Sequence, residues 1–85
     1  MESSYANVET WLRGYLADLL NIPNTEISPT MPFENFGLDS AAMVALTSDL
    51  SKWVGRELKS DLLFLYPDIQ SVARFLGEAQ LKPVI

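Results

Sequence analysis

The stretch FENFGLDSAAMVAL, residues 33–46, joins an aromatic-bearing loop to an almost uncharged apolar run. Eleven of the 85 residues are acidic, yet Asp39 is the only acid between Gly37 and Ser48. Gly37 can take the positive φ of a tight turn, and Asp and Ser are preferred residues at helix starts. A helix is therefore expected from Asp39 or Ser40 to about Val54, stopped by Gly55. Along it Met43, Leu46, Leu50, Trp53 and Val54 recur at helical spacing and form one core face. The opposite stripe is Ala41, Ala42, Val44, Ala45 and Ser48.

Working outward, VETWLRGYLADLL places Val8, Leu12, Tyr15, Leu16, Leu19 and Leu20 at helical spacing, with Trp11 beside them. This predicts a first helix from about Asn7, as N-cap, to Leu20. Between the two helices, NIPNTEISPTMPFENFG carries prolines, asparagines and a final glycine, which are breaker signals. Ile22, Ile27, Met31, Phe33 and Phe36 punctuate this loop, and are expected to pin it across the helices. After Gly55, KSDLLFLYP reads as a short helical turn capped at Ser60 and halted before Pro67. PDIQSVARFLGEAQ reads as a last helix, capped by Asp68, with Ile69, Val72, Ala73 and Leu76 inward. Nothing alternates with a period of two and nothing repeats. The fold class is all-α: a small antiparallel bundle of three main helices plus one short helix, with a long ordered loop between the first two. One domain, residues 5–80, and a tail, residues 81–85, are expected.

Composition narrows the function. The chain has neither cysteine nor histidine, so the usual thiol nucleophile, thiol metal site and near-neutral proton shuttle are all missing. A net charge of -5, with the basic residues scattered, argues against nucleic acid, which is bound by clustered Lys and Arg. No apolar run approaches the ~20 residues of a membrane-spanning helix. MESSYANVE does not read as a secretory signal, having an acid at Glu2 and no apolar run. A soluble, cytoplasmic, monomeric protein without a metal site is expected. Trp11, Trp53 and Phe75 fall at helical spacing and read as core residues, not as a cargo pocket.

On the dipeptide alone, helix capping accounts for Asp39 and Ser40. The surroundings admit a second use. Leu38 can drop into the core, which leaves Ser40 in the first turn with its hydroxyl outward. There the unpaired N–H groups and the helix dipole favour a phosphate ester. Asp39 can cap while Ser40 carries the ester.

FGLDSAAMVALTSDL resembles the modification motif of acyl and peptidyl carrier proteins, Gly-(Leu/Gly/Ala)-Asp-Ser followed by an apolar helix. LLFLYPDIQSVARFL resembles the ending of carrier domains in modular polyketide and nonribosomal peptide synthases. The similarity spans about residues 5–77. It implies that Ser40 bears a 4′-phosphopantetheine arm derived from coenzyme A, and that Gly37, Leu38 and Asp39 are the motif read by the phosphopantetheinyl transferase. It implies a non-catalytic carrier whose reactive thiol is imported, tethering acyl intermediates for downstream synthase or tailoring enzymes. The pattern GLDSAA-V-LT-DL-W-G is also similar to carriers loaded by fatty acyl-AMP ligases in bacterial lipopeptide and polyketide pathways. A peptidyl carrier is one alternative. Another is an unmodified helical interaction module in which Ser40 only caps.

The chain departs from fatty-acid carriers at Ala41 and Ala45, where those proteins usually place a large aliphatic residue and a glutamate. Partner docking through close apolar contact at Ala41, Val44, Ala45 and Ser48 is expected, with Asp61 and Leu62 alongside. Alanine is also simply a good helix former, which accounts for the same residues without a partner. No long linker flanks the domain, so a free-standing protein is expected; an excised domain would read the same.

Overall fold

Val8, Leu12 and Leu16 are spaced one helical turn apart and are fully buried, so the first helix, α1 (Tyr5–Leu20), packs along that single stripe. The computed structural model describes residues 5–81, with side chains described as far as residue 77. The helix is already formed at Tyr5, and Asn7 is exposed inside it, so Asn7 is not its N-cap. At the other end Asn21 takes φ 59°, and the Ile22 N–H returns to the Ala17 carbonyl at 3.1 Å, closing the helix in a Schellman-type turn. Leu19 falls on the outer side and remains half exposed.

The connecting loop holds two 3-10 turns, Asn24–Glu26 and Phe33–Phe36. Ile27 and Phe33 are each 1% exposed and anchor it, while Ile22 and Phe36 pack at the core's edge. Met31, expected among the anchors, stands in solvent at 37% exposure. Two backbone bonds explain the loop's route. The Phe33 N–H donates to the Pro67 carbonyl (2.7 Å) and the Gln70 N–H donates to the Pro29 carbonyl (2.8 Å). The loop is thereby stitched to the start of the last helix.

The second helix, α2, runs Ser40–Val54 and ends at Gly55 with φ 79°. Leu46 and Leu50 are fully buried; Met43, Trp53 and Val54 border the core. Thr47 is buried as well, and its hydroxyl donates to the Met43 carbonyl (2.9 Å), so burial does not leave that hydroxyl unpaired. The short helix α3 (Leu62–Leu65) is preceded by Asp61, not by the expected cap Ser60, and has no side-chain cap bond. A backbone turn bond, Leu62 N–H to the Lys59 carbonyl at 3.0 Å, starts it instead.

The last helix, α4, runs Ile69–Leu81. Asp68 caps it as expected: its Oδ1 accepts the Ser71 N–H at 2.8 Å, and the Ser71 hydroxyl accepts the Asp68 N–H at 3.3 Å. Ile69, Val72, Ala73 and Leu76 are buried. Residues 82–85 of the expected tail lie outside the described residues. Gly77 has a packing reason, since a Cβ there would lie 2.7 Å from the backbone nitrogen of Tyr5. The amino end of α1 meets α4 at that point.

α1 and α2 are antiparallel, because Trp11 stacks on Trp53 (centroids 5.4 Å apart) while Tyr15, one turn on, donates to Asp49 Oδ2 at 2.7 Å. Burial, then the hydrogen bond and negative charge of Asp49, push the Tyr15 pKa up from 10.0 to about 12. A raised folded-state value means the bond stabilises the fold below pH 10 and is lost as pH climbs towards 12. Melting temperature measured from pH 9 upward should fall more steeply in the wild type than in Tyr15→Phe. At pH 7 that variant should already be about 1.5–3 kcal/mol less stable, the scale of a bond to a charged acceptor.

Candidate functional site

The turn into α2 is fixed by the backbone before any side chain matters. Gly37 sits at φ 81°, ψ 20°, with its N–H on the Glu34 carbonyl at 3.2 Å. Nothing stands within 4 Å of where its Cβ would be, so the glycine is required by the left-handed conformation and not by space. Leu38 then turns inward and packs against the core. Asp39 is extended, at φ -86° and ψ 179°, and its Oδ1 accepts the Ala42 N–H at 2.8 Å. That is an N-cap bond, and it occupies Asp39, not Ser40.

Ser40 is the first residue of α2. It is exposed, and its hydroxyl has no hydrogen-bond partner among the described residues. No acidic residue lies in the first turn of α2, where the helix dipole favours an anion. Capping and an available hydroxyl therefore coexist on adjacent residues. Among the described residues no group of three or more acidic, His or Cys side chains could hold a metal.

Ala41, Val44, Ala45 and Ser48 lie along α2, with Val44 52% exposed, and Asp61 is exposed beside α3. Leu62 departs from expectation: at 5% exposure it belongs to the core and offers no docking surface. The apolar side chains that α3 presents are Phe64 (68% exposed) and Leu65 (65%). Their type gives no warning, because LLFL is apolar at every position and carries no period. Two of the recesses beside this face include α2 residues. One, about 160 Å³, lies between the loop and α3, with Met43, Phe33, Leu63 and Phe64 in its lining. The other, about 270 Å³, runs along α2 from Val44 to Lys52, with Leu58 and Ser60 as its far wall.

Residues 10–76 match the family model described as the phosphopantetheine attachment site, so the chain belongs to the phosphopantetheine-binding carrier family. Members are non-catalytic carriers that hold 4′-phosphopantetheine covalently and interact with phosphopantetheinyl transferases and synthase enzymes. The chain is similar to the acyl carrier protein TtuC of Teredinibacter turnerae, at 49% identity over 71 residues, covering 84% of this chain and 82% of that protein. It is 32% identical over 73 residues to part of a phenolphthiocerol/phthiocerol polyketide synthase from Mycobacterium tuberculosis, covering 86% of this chain but 4% of that polypeptide. Among solved structures, an acyl carrier protein from Anabaena sp. PCC 7120 with a variant phosphopantetheinylation-site sequence superposes with a TM-score of 0.86 at 32% identity, covering 94% of this chain and 92% of that one. A free-standing peptidyl carrier protein from Acinetobacter baumannii superposes with a TM-score of 0.82 at 27% identity, covering 92% and 98%.

Proposed function

We propose that Ser40 is the residue that carries the 4′-phosphopantetheine arm, and that the chain is an acyl carrier of a bacterial polyketide, lipopeptide or fatty-acid-derived pathway. The observation that carries this is an exposed, unpartnered hydroxyl on the first residue of α2, directly after a residue that already caps the helix. In the transferase, Ser40 Oγ attacks the β-phosphorus of coenzyme A and loses its proton to a base there. Adenosine 3′,5′-bisphosphate leaves, and a phosphodiester remains on Ser40. Asp39 holds the helix start through Oδ1 on the Ala42 N–H, which leaves its other carboxylate oxygen to face the transferase. Bound, the arm supplies a thiol that holds acyl groups as thioesters. On this reading the protein acts in the cytoplasm as a monomer; no helix among the described residues is long and apolar enough to cross a membrane.

Loading by a fatty acyl-AMP ligase is the finer part of this proposal. The 49% identity to TtuC, named an acyl carrier protein, supports acyl cargo; the ligase itself rests on the likeness of GLDSAA-V-LT-DL-W-G to ligase-loaded carriers and on the apolar face beside Ser40. The competing reading, a peptidyl carrier, draws on the likeness to the Acinetobacter structure. Incubating the pantetheinylated protein with a free fatty acid, ATP and a fatty acyl-AMP ligase should add one acyl group by mass. Loading by an amino-acid adenylating domain, with none from the ligase, would favour the peptidyl reading.

Docking of partners through Ala41, Val44, Ala45 and Ser48, with Phe64 of α3 and Asp61 at the rim, has a measurable signature. Ionic docking weakens with salt because exposed charges are screened beyond a Debye length of ~10 Å at 0.1 M. Contact through this face should be nearly insensitive to it. Ala45→Glu would bury a carboxylate in that contact without a cation, which is unfavourable. We expect slower acyl transfer from the native partner and an unchanged fold. A steep salt dependence in the wild type, or faster transfer by Ala45→Glu, would show that charge governs docking.

A further inference from the structure

We propose, resting on the Ser40 reading above, that the groove below Ser40 on α2 is the resting site of the arm, holding its amides against Ser48 and Ser60. At 3.6 residues per turn, positions 40, 44, 47, 48 and 51 share one side of α2, so the groove begins one turn beneath the Ser40 hydroxyl. From Ser40 to Ser51 the helix rises about 16 Å at ~1.5 Å per residue, room for an extended chain such as pantetheine. The lining follows the arm's chemistry in order. Val44, 52% exposed, is the first apolar surface an arm would meet, and suits its dimethyl carbon. Ser48 comes next on α2, and Ser60 stands on the facing loop; both are exposed and both lack a hydrogen-bond partner among the described residues. A hydroxyl can donate and accept, which is what a secondary amide with one N–H and one C=O needs from a wall. Ser51 is excluded as a donor, since its hydroxyl is spent on the Arg56 carbonyl at 2.6 Å. Lys52, a turn further along α2, and Leu58 of the facing loop complete the lining.

The recess on the other flank of α2 is the rival site. It is smaller, about 160 Å³, and its lining is mostly apolar, with Met43, Phe33 and Phe64. Its one polar side chain, Glu34, is a carboxylate that can accept an amide N–H but offers no donor to an amide C=O, so amides placed there would be left half unpaired, which is costly. The geometry therefore favours the hydroxyl-lined groove for the arm itself.

The test is an NMR comparison of ¹⁵N-labelled protein before and after modification, with complete conversion checked by intact mass. Backbone amide shifts at Ser48, Lys52 and Ser60 should change on modification, and the arm's methyl groups should show cross-relaxation to the Val44 methyls. In the Ser60→Ala variant the shift changes at Ser48 and Lys52 should shrink to less than half, while conversion by the transferase stays complete and the unmodified spectrum stays folded. Shift changes confined to residues next to Ser40, or arm contacts to Met43 and Phe64, would overturn the proposal while leaving the Ser40 reading intact. Failure of the wild type to accept the arm at all would overturn both.

Discussion

Replacing Phe33 with alanine should remove about 3–5 kcal/mol of stability, the range for deleting a buried phenylalanine side chain. Phe33 is 1% exposed and is the largest fully buried side chain described. It is also the anchor of the loop, and its own N–H donates to the Pro67 carbonyl. Native domains hold only about 5–15 kcal/mol in total, so this loss is a large fraction of the whole. Urea denaturation followed by circular dichroism reads this directly. A midpoint close to the wild type would mean that the loop is held by its backbone bonds and not by this ring.

The second large effect concerns modification and leaves stability nearly alone. Ser40→Ala should abolish acceptance of the phosphopantetheine arm, yet shift unfolding free energy by no more than ~0.5 kcal/mol, as for an ordinary surface substitution. The reason is the division of labour at the helix start: Asp39 makes the cap bond to Ala42, and Ser40 makes none. Asp39→Ala is the complementary case and should lose ~1 kcal/mol, the size of a cap deletion. If Ser40→Ala were the more destabilising of the two, the assignment of cap and modified residue would be reversed.

Where the chain carries its own local signals, sequence and structure agree. The start of α2 at Ser40, its stop at Gly55, the Asp68 cap and the buried faces of α2 and α4 all follow from capping chemistry and helical spacing. The misses depend on contacts distant in sequence. Asn7 has the chemistry of a cap, but the helix is already formed at Tyr5, whose backbone rests on Gly77 far along the chain. Met31 has the hydropathy of an anchor, but the loop's path is set by its bonds to Pro67 and Gln70, which expose it. In α3, four apolar residues in a row do not reveal which face inward. Leu62 and Leu63 are buried while Phe64 and Leu65 are exposed.

The candidate site is legible for a related reason. A left-handed glycine, a capping aspartate and a free serine hydroxyl lie within four residues of one another, so no long-range contact is needed to assemble them. The groove lined by Ser48 and Ser60 is not legible, because it joins α2 to a loop whose approach depends on how Leu58 and Leu62 pack.

The most direct test of the central claim is the intact mass of the wild-type chain after incubation with coenzyme A and a broad-specificity phosphopantetheinyl transferase, followed by peptide fragmentation. A single phosphopantetheine located on Ser40 is the expected result. An unmodified chain, or an arm found on any other residue, would contradict it.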